Sequence, residues 1–179
     1  VLTPWGSFMR LVAEAAKPDA ARVEILSLLK HPLCGMGQEY SLVRKKARAL
    51  EKIVWRGQQE DTEAEQILLS LQSLLMPLSD LYLQAKVSLS ALLEAHIKAA
   101  EAVAATNQKE GKENLWRGDA GQAGAALMAQ VMEKADVLGA VAPDQYLGLF
   151  EALALQVPVR PKYGTHPRLT VLGPSEARL

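Results

Sequence analysis

Apolar residues recur along most of the chain at a spacing close to the 3.6 residues of an α-helical turn, which predicts a mainly helical protein. Thr3 is the predicted N-cap of the first helix and Pro4 its first residue, where the missing proline N–H costs nothing. The second helix ends at His31-Pro32, because the residue before a proline is pushed out of helical geometry. Further helices are predicted at about 41–56, from 60 to Pro77, and at about 78–106, 119–138 and 143–153.

Proline and glycine positions in the middle of the chain predict where its helices begin and end. Proline lacks the backbone N–H and clashes with the preceding turn, so Pro77 is predicted to kink or break the chain. No glycine or proline follows until the polar stretch 107–113, which predicts one helix of about 28 residues over 78–106 and a loop after it. Asp119 is the predicted cap of the next helix, and Gly139 is its predicted end.

The pattern changes after Gln156. Two prolines, at 158 and 161, predict an extended segment because proline excludes a continued helix. Residues 169–172 are the one predicted strand, and a lone strand is not stable without partners. The predicted organisation is an all-α, multi-helix bundle over 1–156, followed over 157–179 by an extended linker and one short strand. We interpret both ends of the chain as cuts in a longer protein.

Charge balance, the length of apolar runs and the cysteine count exclude some classes of protein. Twenty basic residues balance twenty acidic ones, which argues against a uniformly basic nucleic-acid coat and leaves a local basic patch open. No apolar run approaches the roughly 18–20 residues of a membrane span, so we predict a cytoplasmic protein without membrane contact. The single cysteine, Cys34, excludes an internal disulfide and any zinc or iron–sulfur site built from four cysteines of this chain.

Sequence motifs for catalysis and cofactors are missing. The chain has no G-x-x-x-x-G-K-[S/T] loop for nucleotide phosphates and no G-x-S-x-G nucleophile elbow. His31 and Cys34 lack two further metal ligands, so Cys34 is interpreted as a buried hydrophobe and His96 as a packed histidine. A small-residue helix face, which lets another helix approach closely, is predicted at Gly118, Gly121 and Gly124. We predict no catalytic residue, metal site or cofactor within this chain.

A basic cluster lies on the third predicted helix. Six cations occur within 13 residues, with one acid, Glu51, among them. Those chosen as candidate DNA-binding residues are Arg44, Lys45, Arg48 and Lys52; Lys46 and Arg56 complete the cluster. Arg44, Arg48 and Lys52 are spaced by four residues and share a helix face that can lie along DNA phosphates. The alternative is a solvated face paired with the acids at 60–65.

A second basic segment lies in the proline-containing tail. It supplies the other candidate DNA-binding residues, which are Arg160, Lys162, Arg168 and Arg178. One interpretation is a linker that re-enters a β-containing core. The other places these cations beside a nucleic-acid groove or an interdomain cleft, and the sequence leaves both open.

The tail also resembles a known family. Residues 164–179, GTHPRLTVLGPSEARL, are similar to the segment G-x-H-P-R-L-x-I-x-G-P-L-E-A-R-L of the AddB double-strand break repair proteins of the alphaproteobacterial type. Upstream stretches resemble the family in the same order: residues 28–33 (LLKHPL), 48–51 (RALE) with 56–57 (RG), and 115–121 (LWRGDAG). Leu172 and Ser175 depart from the family pattern, which has Trp and Leu there.

This resemblance implies a piece of a larger subunit that pairs with an AddA-type helicase–nuclease subunit and resects broken DNA ends for recombinational repair. The chain would be a helical insertion similar to the 2B subdomain of superfamily 1 helicases, and its tail would return to the helicase-like core. The family's iron–sulfur cluster and divalent metal belong to a nuclease domain, so the resemblance implies no cofactor here.

The expected function is therefore that of a non-catalytic subdomain, which guides DNA and contacts the AddA-type subunit and the remaining domains of its own chain. The alternative is a helical protein–protein interaction scaffold with no DNA contact. A free-standing helical enzyme is disfavoured, because the sequence offers no nucleophile–base pair and no set of metal ligands.

Overall fold

Helices account for most of the chain, as the apolar periodicity predicts. The structure, a computed structural model, describes residues 3–57 and 61–159. Over these ranges the α-helices are α1 (Pro4–Ala15), α2 (Arg22–Leu29), α3 (Tyr40–Ala49), α4 (Thr62–Tyr82), α5 (Leu89–Ala104), α6 (Gly111–Leu115), α7 (Gly118–Leu138) and α8 (Tyr146–Leu155). The shorter elements are a π-helical segment (Leu50–Arg56), a 3₁₀ segment (Pro143–Gln145), and the antiparallel strands β1 (Val87–Ser88) and β2 (Ala140–Val141). The predicted all-α bundle is confirmed.

Helix α1 contributes to the centre of the core. Thr3 Oγ1 accepts a hydrogen bond from the Gly6 N–H at 3.1 Å, and Pro4 is the first helical residue, so the predicted cap is confirmed. Phe8 and Met9 are fully buried, and α1 packs against α2, α4, α5, α7 and α8. Full burial of a side chain of this size stabilises the fold by about 1.5–3 kcal/mol. Helix α1 therefore contacts both the early helices α2 and α4 and the late helices α7 and α8.

The single helix predicted over 78–106 is wrong. The chain leaves α4 at Tyr82, passes through β1 and begins α5. Ser88 Oγ accepts a hydrogen bond from the Ala91 N–H at 3.2 Å, so this serine caps a new helix. Strand β1 pairs with β2, which lies far along the chain after α7. Local periodicity does not contain this pairing, and the pairing is what divides the two helices.

The chain does not break at Pro77. This proline lies inside α4, which continues from Thr62 to Tyr82. Pro77 and Ser73 are both exposed, so water can bind the Ser73 carbonyl that would otherwise accept the missing N–H. The opposite face of α4 is buried at Ile67, Leu71, Leu75 and Leu78. That burial offsets the cost of about 3 kcal/mol for a proline in a helix interior.

Two predictions after α5 are wrong in detail. The polar loop predicted through Glu113 is shorter, because α6 begins at Gly111. Asp119 is not the cap of α7 but lies in its first turn, where a carboxylate is favoured by the helix dipole. Gly139 ends α7 as predicted, with a φ of +67° that favours glycine.

The first residues of the predicted extended tail, 157–159, lie within the described ranges. Helix α8 ends at Leu155, close to the predicted change at Gln156, and residues 157–159 are not helical. The strand predicted at 169–172 lies outside the described residues, as does the rest of the linker.

Helix α7 approaches its neighbours through small residues. A Cβ on Gly124 would overlap the indole ring of Trp5, and a Cβ on Gly121 would lie 2.5 Å from the Trp116 carbonyl carbon. Gly118 is not part of this face, since no atom lies within 4 Å of its Cβ position and its φ is +72°. The small-residue face is therefore confirmed at two of the three glycines, and the third serves the backbone turn.

Candidate nucleic-acid interface

Helix α3 and the π-helical segment place apolar residues inside and cations outside. Val43, Ala47 and Leu50 are fully buried, at the spacing of one helix face. The predicted candidates on this stretch, named here the basic row, are Arg44, Lys45, Arg48 and Lys52. Lys45, Arg48 and Lys52 are exposed, and Arg44 is half-buried. The packing of this stretch thus leaves the basic row at the surface.

The other two cations of the cluster are engaged within the protein. Arg56 pairs with Glu51 at 2.6 Å, and Lys30, the residue after α2, binds the same carboxylate. The hydrogen bond from Lys30 has the larger effect and the positive charge of Arg56 adds to it, so the pKa of Glu51 is held below its usual range. Lys46 Nζ donates a hydrogen bond to Gln38 Oε1 at 3.1 Å. Within residues 3–57 and 61–159, no ion pair involves the basic row.

The acids at the start of α4 have other roles. Asp61 Oδ1 accepts a hydrogen bond from the Ala64 N–H at 3.0 Å and caps the helix. Glu63 and Glu65 are exposed, and neither forms an ion pair with another described residue. Glu60 lies outside the described ranges. Asp61, Glu63 and Glu65 therefore form no ion pair with the basic row.

Arg44 lies close enough to His31 to influence its titration. Burial, followed by the positive charge of Arg44, lowers the pKa of His31 to about 4. The Leu33 N–H donates to His31 Nδ1 at 3.2 Å, so Nε2 carries the hydrogen and donates to Ser7 Oγ at 3.1 Å. His31 is therefore neutral at pH 7 and adds no charge to the basic row.

Cys34 is a buried hydrophobe, as predicted. Burial raises the pKa of its thiol to about 12, so the thiol is protonated at pH 7. In the part of the chain that the structure describes, no three His, Cys, Asp or Glu side chains are grouped so as to hold a metal ion.

His96 is fully buried and makes two hydrogen bonds. Its Nε2 lies 2.8 Å from the Met9 carbonyl oxygen, and its Nδ1 lies 2.8 Å from the Tyr146 hydroxyl. A carbonyl oxygen can only accept, so Nε2 carries the hydrogen and Tyr146 donates to Nδ1. The ring also packs edge-on against Tyr146 and Phe150, with ring centres 5.6 and 5.4 Å away. The interpretation of His96 as a packed histidine is confirmed.

We expect the folded chain to lose stability as the pH falls from 7 to 5. Burial lowers the pKa of His96 from 6.5 to about 4, so the unfolded chain binds the proton first. The stabilisation is complete above pH 6.5 and is lost as the pH falls toward 4. His96 alone should make the free energy of unfolding about 2 kcal/mol smaller at pH 5 than at pH 7, as measured by urea unfolding.

A non-titrating variant is the control for this pH dependence. In His96→Gln, the difference in unfolding free energy between the two pH values should shrink by about half. His31, whose pKa is shifted in the same direction, supplies the remaining dependence. An unchanged pH dependence in the variant would show that other groups are responsible.

Some candidates fall outside the structure, and some cations were not singled out from the sequence. Arg160, Lys162, Arg168 and Arg178 lie outside the described residues. Lys109 and Arg117, which the sequence analysis did not select, line a cleft together with Tyr40, the first residue of α3. No local sequence pattern joins them to α3, because only the packing of the segment after α5 brings them there.

Comparisons with known proteins assign no family. No protein-family model, curated protein or solved structure matches the chain. Of the helices within the described ranges, none is both long enough and apolar enough to cross a membrane. The basic row, whose cations form no ion pair in those ranges, is the surface whose chemistry points most directly to a ligand.

Proposed function

We propose that the chain is a non-catalytic helical subdomain of an AddB-type subunit, where it guides DNA and contacts the AddA-type subunit and neighbouring domains. The basic row carries the DNA part of this proposal, because its cations form no ion pair within the described ranges. Cations of this kind bind phosphates by releasing counterions, without sequence preference. The helical bundle and the AddB-like motifs support the rest.

Side-chain contacts beside the basic row hold its backbone in place before any ligand binds. Lys30 and Arg56 both bind Glu51 in the π-helical segment. The Arg22 guanidinium lies 5.4 Å from the centre of the Trp55 ring, a cation–π contact between α2 and the same segment. Because these contacts order the backbone before DNA arrives, less conformational entropy is lost on binding.

Reversing two charges of the basic row should weaken DNA binding. We expect Arg44→Glu combined with Arg48→Glu to raise the Kd for a short duplex by about tenfold or more. The slope of log K against log salt should fall by about 2, because each lost phosphate contact removes roughly 0.9. Fluorescence anisotropy over a salt series measures both quantities.

The matched control reverses two exposed charges elsewhere, with Lys86→Glu and Lys134→Glu. This pair changes the net charge equally and should leave the slope nearly unchanged. Equal weakening by both pairs would mean that net charge alone governs binding. An unchanged slope in the basic-row variant would contradict DNA guidance by α3.

A scaffold without DNA contact is the second candidate, favoured by an apolar groove between α4 and the start of α2. The groove has a volume of about 440 Å³, and its lining includes Ile25, Leu68, Leu71 and Met76. Met76 is 56% exposed. Exposed apolar surface of this kind is typical of protein contacts. A scaffold would show no DNA binding at low salt and would co-sediment with the AddA-type subunit.

The assignment to an AddB-type subunit is tested on the parent reading frame. We expect the frame to continue past Leu179 into an apolar strand, a Gly-Gly-x-Asn-Glu-Gly-like loop and, further on, a cysteine-bearing nuclease domain. A stop codon directly after Leu179 would contradict the assignment and leave a small helical adaptor.

A further inference from the structure

A polar cleft opens at the point where α3 begins. Its volume is about 390 Å³, within the range of small-ligand sites. The polar residues that line it are Tyr40, Thr106, Gln108, Lys109, Asn114 and Arg117. Among the described residues that line the cleft there is no carboxylate, so the two cations give this lining a positive charge.

Backbone hydrogen bonds hold one wall of the cleft against the other. The Gly35 and Met36 N–H groups both donate to the Val103 carbonyl at 2.9 Å, and the Gly37 N–H donates to the Ala105 carbonyl at 2.8 Å. Gly35 is required for this approach, because a Cβ there would overlap the Ala105 carbonyl oxygen. The loop before α3 is thus joined directly to the end of α5.

The segment that carries Lys109 is also ordered. The Thr106 N–H donates to the Lys109 carbonyl at 2.9 Å, and Thr106 Oγ1 accepts from the Lys109 N–H at 3.0 Å. Asn114 Nδ2 donates to the Ala104 carbonyl at 2.9 Å. The nearby acid Glu110 pairs with Lys112 at 2.6 Å. Lys109 and Arg117 are exposed and form no ion pair with any residue that the structure describes.

The cleft and the basic row are continuous along α3. Tyr40, Arg44 and Arg48 follow one another at intervals of four residues within α3, so they form one row on the helix surface, and Lys52 follows in the π-helical segment. From Tyr40 to Arg48 this row is on the order of 12 Å long at about 1.5 Å per residue. A tyrosine therefore stands at the start of a line of cations, with two further cations beside it in the cleft.

We propose that this cleft holds one nucleotide of a single-stranded DNA whose neighbouring phosphates follow the basic row. The base would stack on the Tyr40 ring, and the phosphates on either side would contact Lys109 and Arg117. A cationic groove with an aromatic platform is the chemistry that binds single strands, because every base has a stacking face. A stacked duplex does not offer an unpaired base to such a cleft. This inference rests on the proposed function, since it extends the same surface.

The test compares two DNA forms on the same set of variants. The probes are a fluorescein-labelled oligothymidylate of about 20 nucleotides and a duplex of equal length, both at about 50 mM salt. Lys109→Ala with Arg117→Ala should weaken single-strand binding by about fivefold or more and duplex binding by less than about twofold. Tyr40→Ala should weaken single-strand binding by about fivefold or more, whereas Tyr40→Phe, which keeps the ring, should change it by less than about twofold.

The outcomes separate the cleft from the basic row. An unchanged single-strand affinity in the Lys109/Arg117 variant, or equal weakening of both DNA forms, would overturn the cleft. Competition by thymidine monophosphate as strong as that of the oligonucleotide would also overturn it, in favour of a free-nucleotide site. If Arg44→Glu with Arg48→Glu leaves the duplex salt slope unchanged while the cleft variants act as expected, the proposed function of the basic row fails and the cleft stands. If Tyr40→Ala does not fold by circular dichroism, the other two variants decide.

Discussion

Replacing His96 with leucine should lower the free energy of unfolding by about 4 kcal/mol. Leucine fills the site with an apolar side chain, but it cannot form hydrogen bonds with the Tyr146 hydroxyl and the Met9 carbonyl, which are both hydrogen-bonded to His96. Each buried polar group left without a partner costs about 1–3 kcal/mol. The loss of the ring contacts with Tyr146 and Phe150 adds to this cost. Urea unfolding at pH 7 measures the difference.

Tyr146→Phe is the matched variant for this prediction. It keeps the aromatic ring and removes one of the two hydrogen bonds of His96, so the expected loss is about 2 kcal/mol. In the double variant of His96→Leu and Tyr146→Phe, the unpaired hydroxyl is gone, and the total loss should be smaller than the sum of the two single losses. Additive losses would contradict a direct bond between the two side chains.

Replacing Gly111 with alanine should cost about 3 kcal/mol or more. The added Cβ would overlap the Glu101 carbonyl oxygen in α5 and lie 2.5 Å from its carbonyl carbon. These are backbone atoms, so no side-chain rotation relieves the clash, and α5 and α6 must move apart. Overpacking costs about 1–3 kcal/mol where side chains can adjust, and more where they cannot. Thermal and urea unfolding measure the loss.

Gly148→Ala is the control for Gly111→Ala. Gly148 lies within α8, and a Cβ there would meet no atom within 4 Å. Because alanine has the higher helix propensity, this change should stabilise the fold by about 0.5–1 kcal/mol. Equal destabilisation by both substitutions would show that the contact between α5 and α6 is not responsible.

Binding and folding can be measured separately in this protein. Lys45 and Arg48 on α3 and Lys52 in the π-helical segment are exposed, so substitution there should change the free energy of unfolding by less than about 0.5 kcal/mol. Gly111 begins α6, and this short helix carries Asn114 of the cleft wall. We therefore expect Gly111→Ala to weaken single-strand binding through the position of the cleft wall, whereas the basic-row variants act on charge alone.

The apolar period predicted the helical class and the first helix with its cap at Thr3, because capping and amphipathicity are local properties of a few neighbouring residues. The apolar period did not predict that α4 continues through Pro77, where burial of the opposite helix face keeps the helix continuous. It also did not predict that residues 78–106 are divided into two helices, where β1 pairs with β2. Both failures come from contacts between residues that are distant in sequence.

The sequence by itself determined the helical character, the absence of catalytic and nucleotide-binding motifs, and the basic row. These depend on residue types and on spacings within a few turns. Only the tertiary structure decided that Lys46 and Arg56 are engaged while the basic row has no ion pair within the described ranges. Only packing placed Lys109 and Arg117 beside Tyr40. The reason is physical: burial and charge pairing depend on which helices pack together, and no local spacing contains that information.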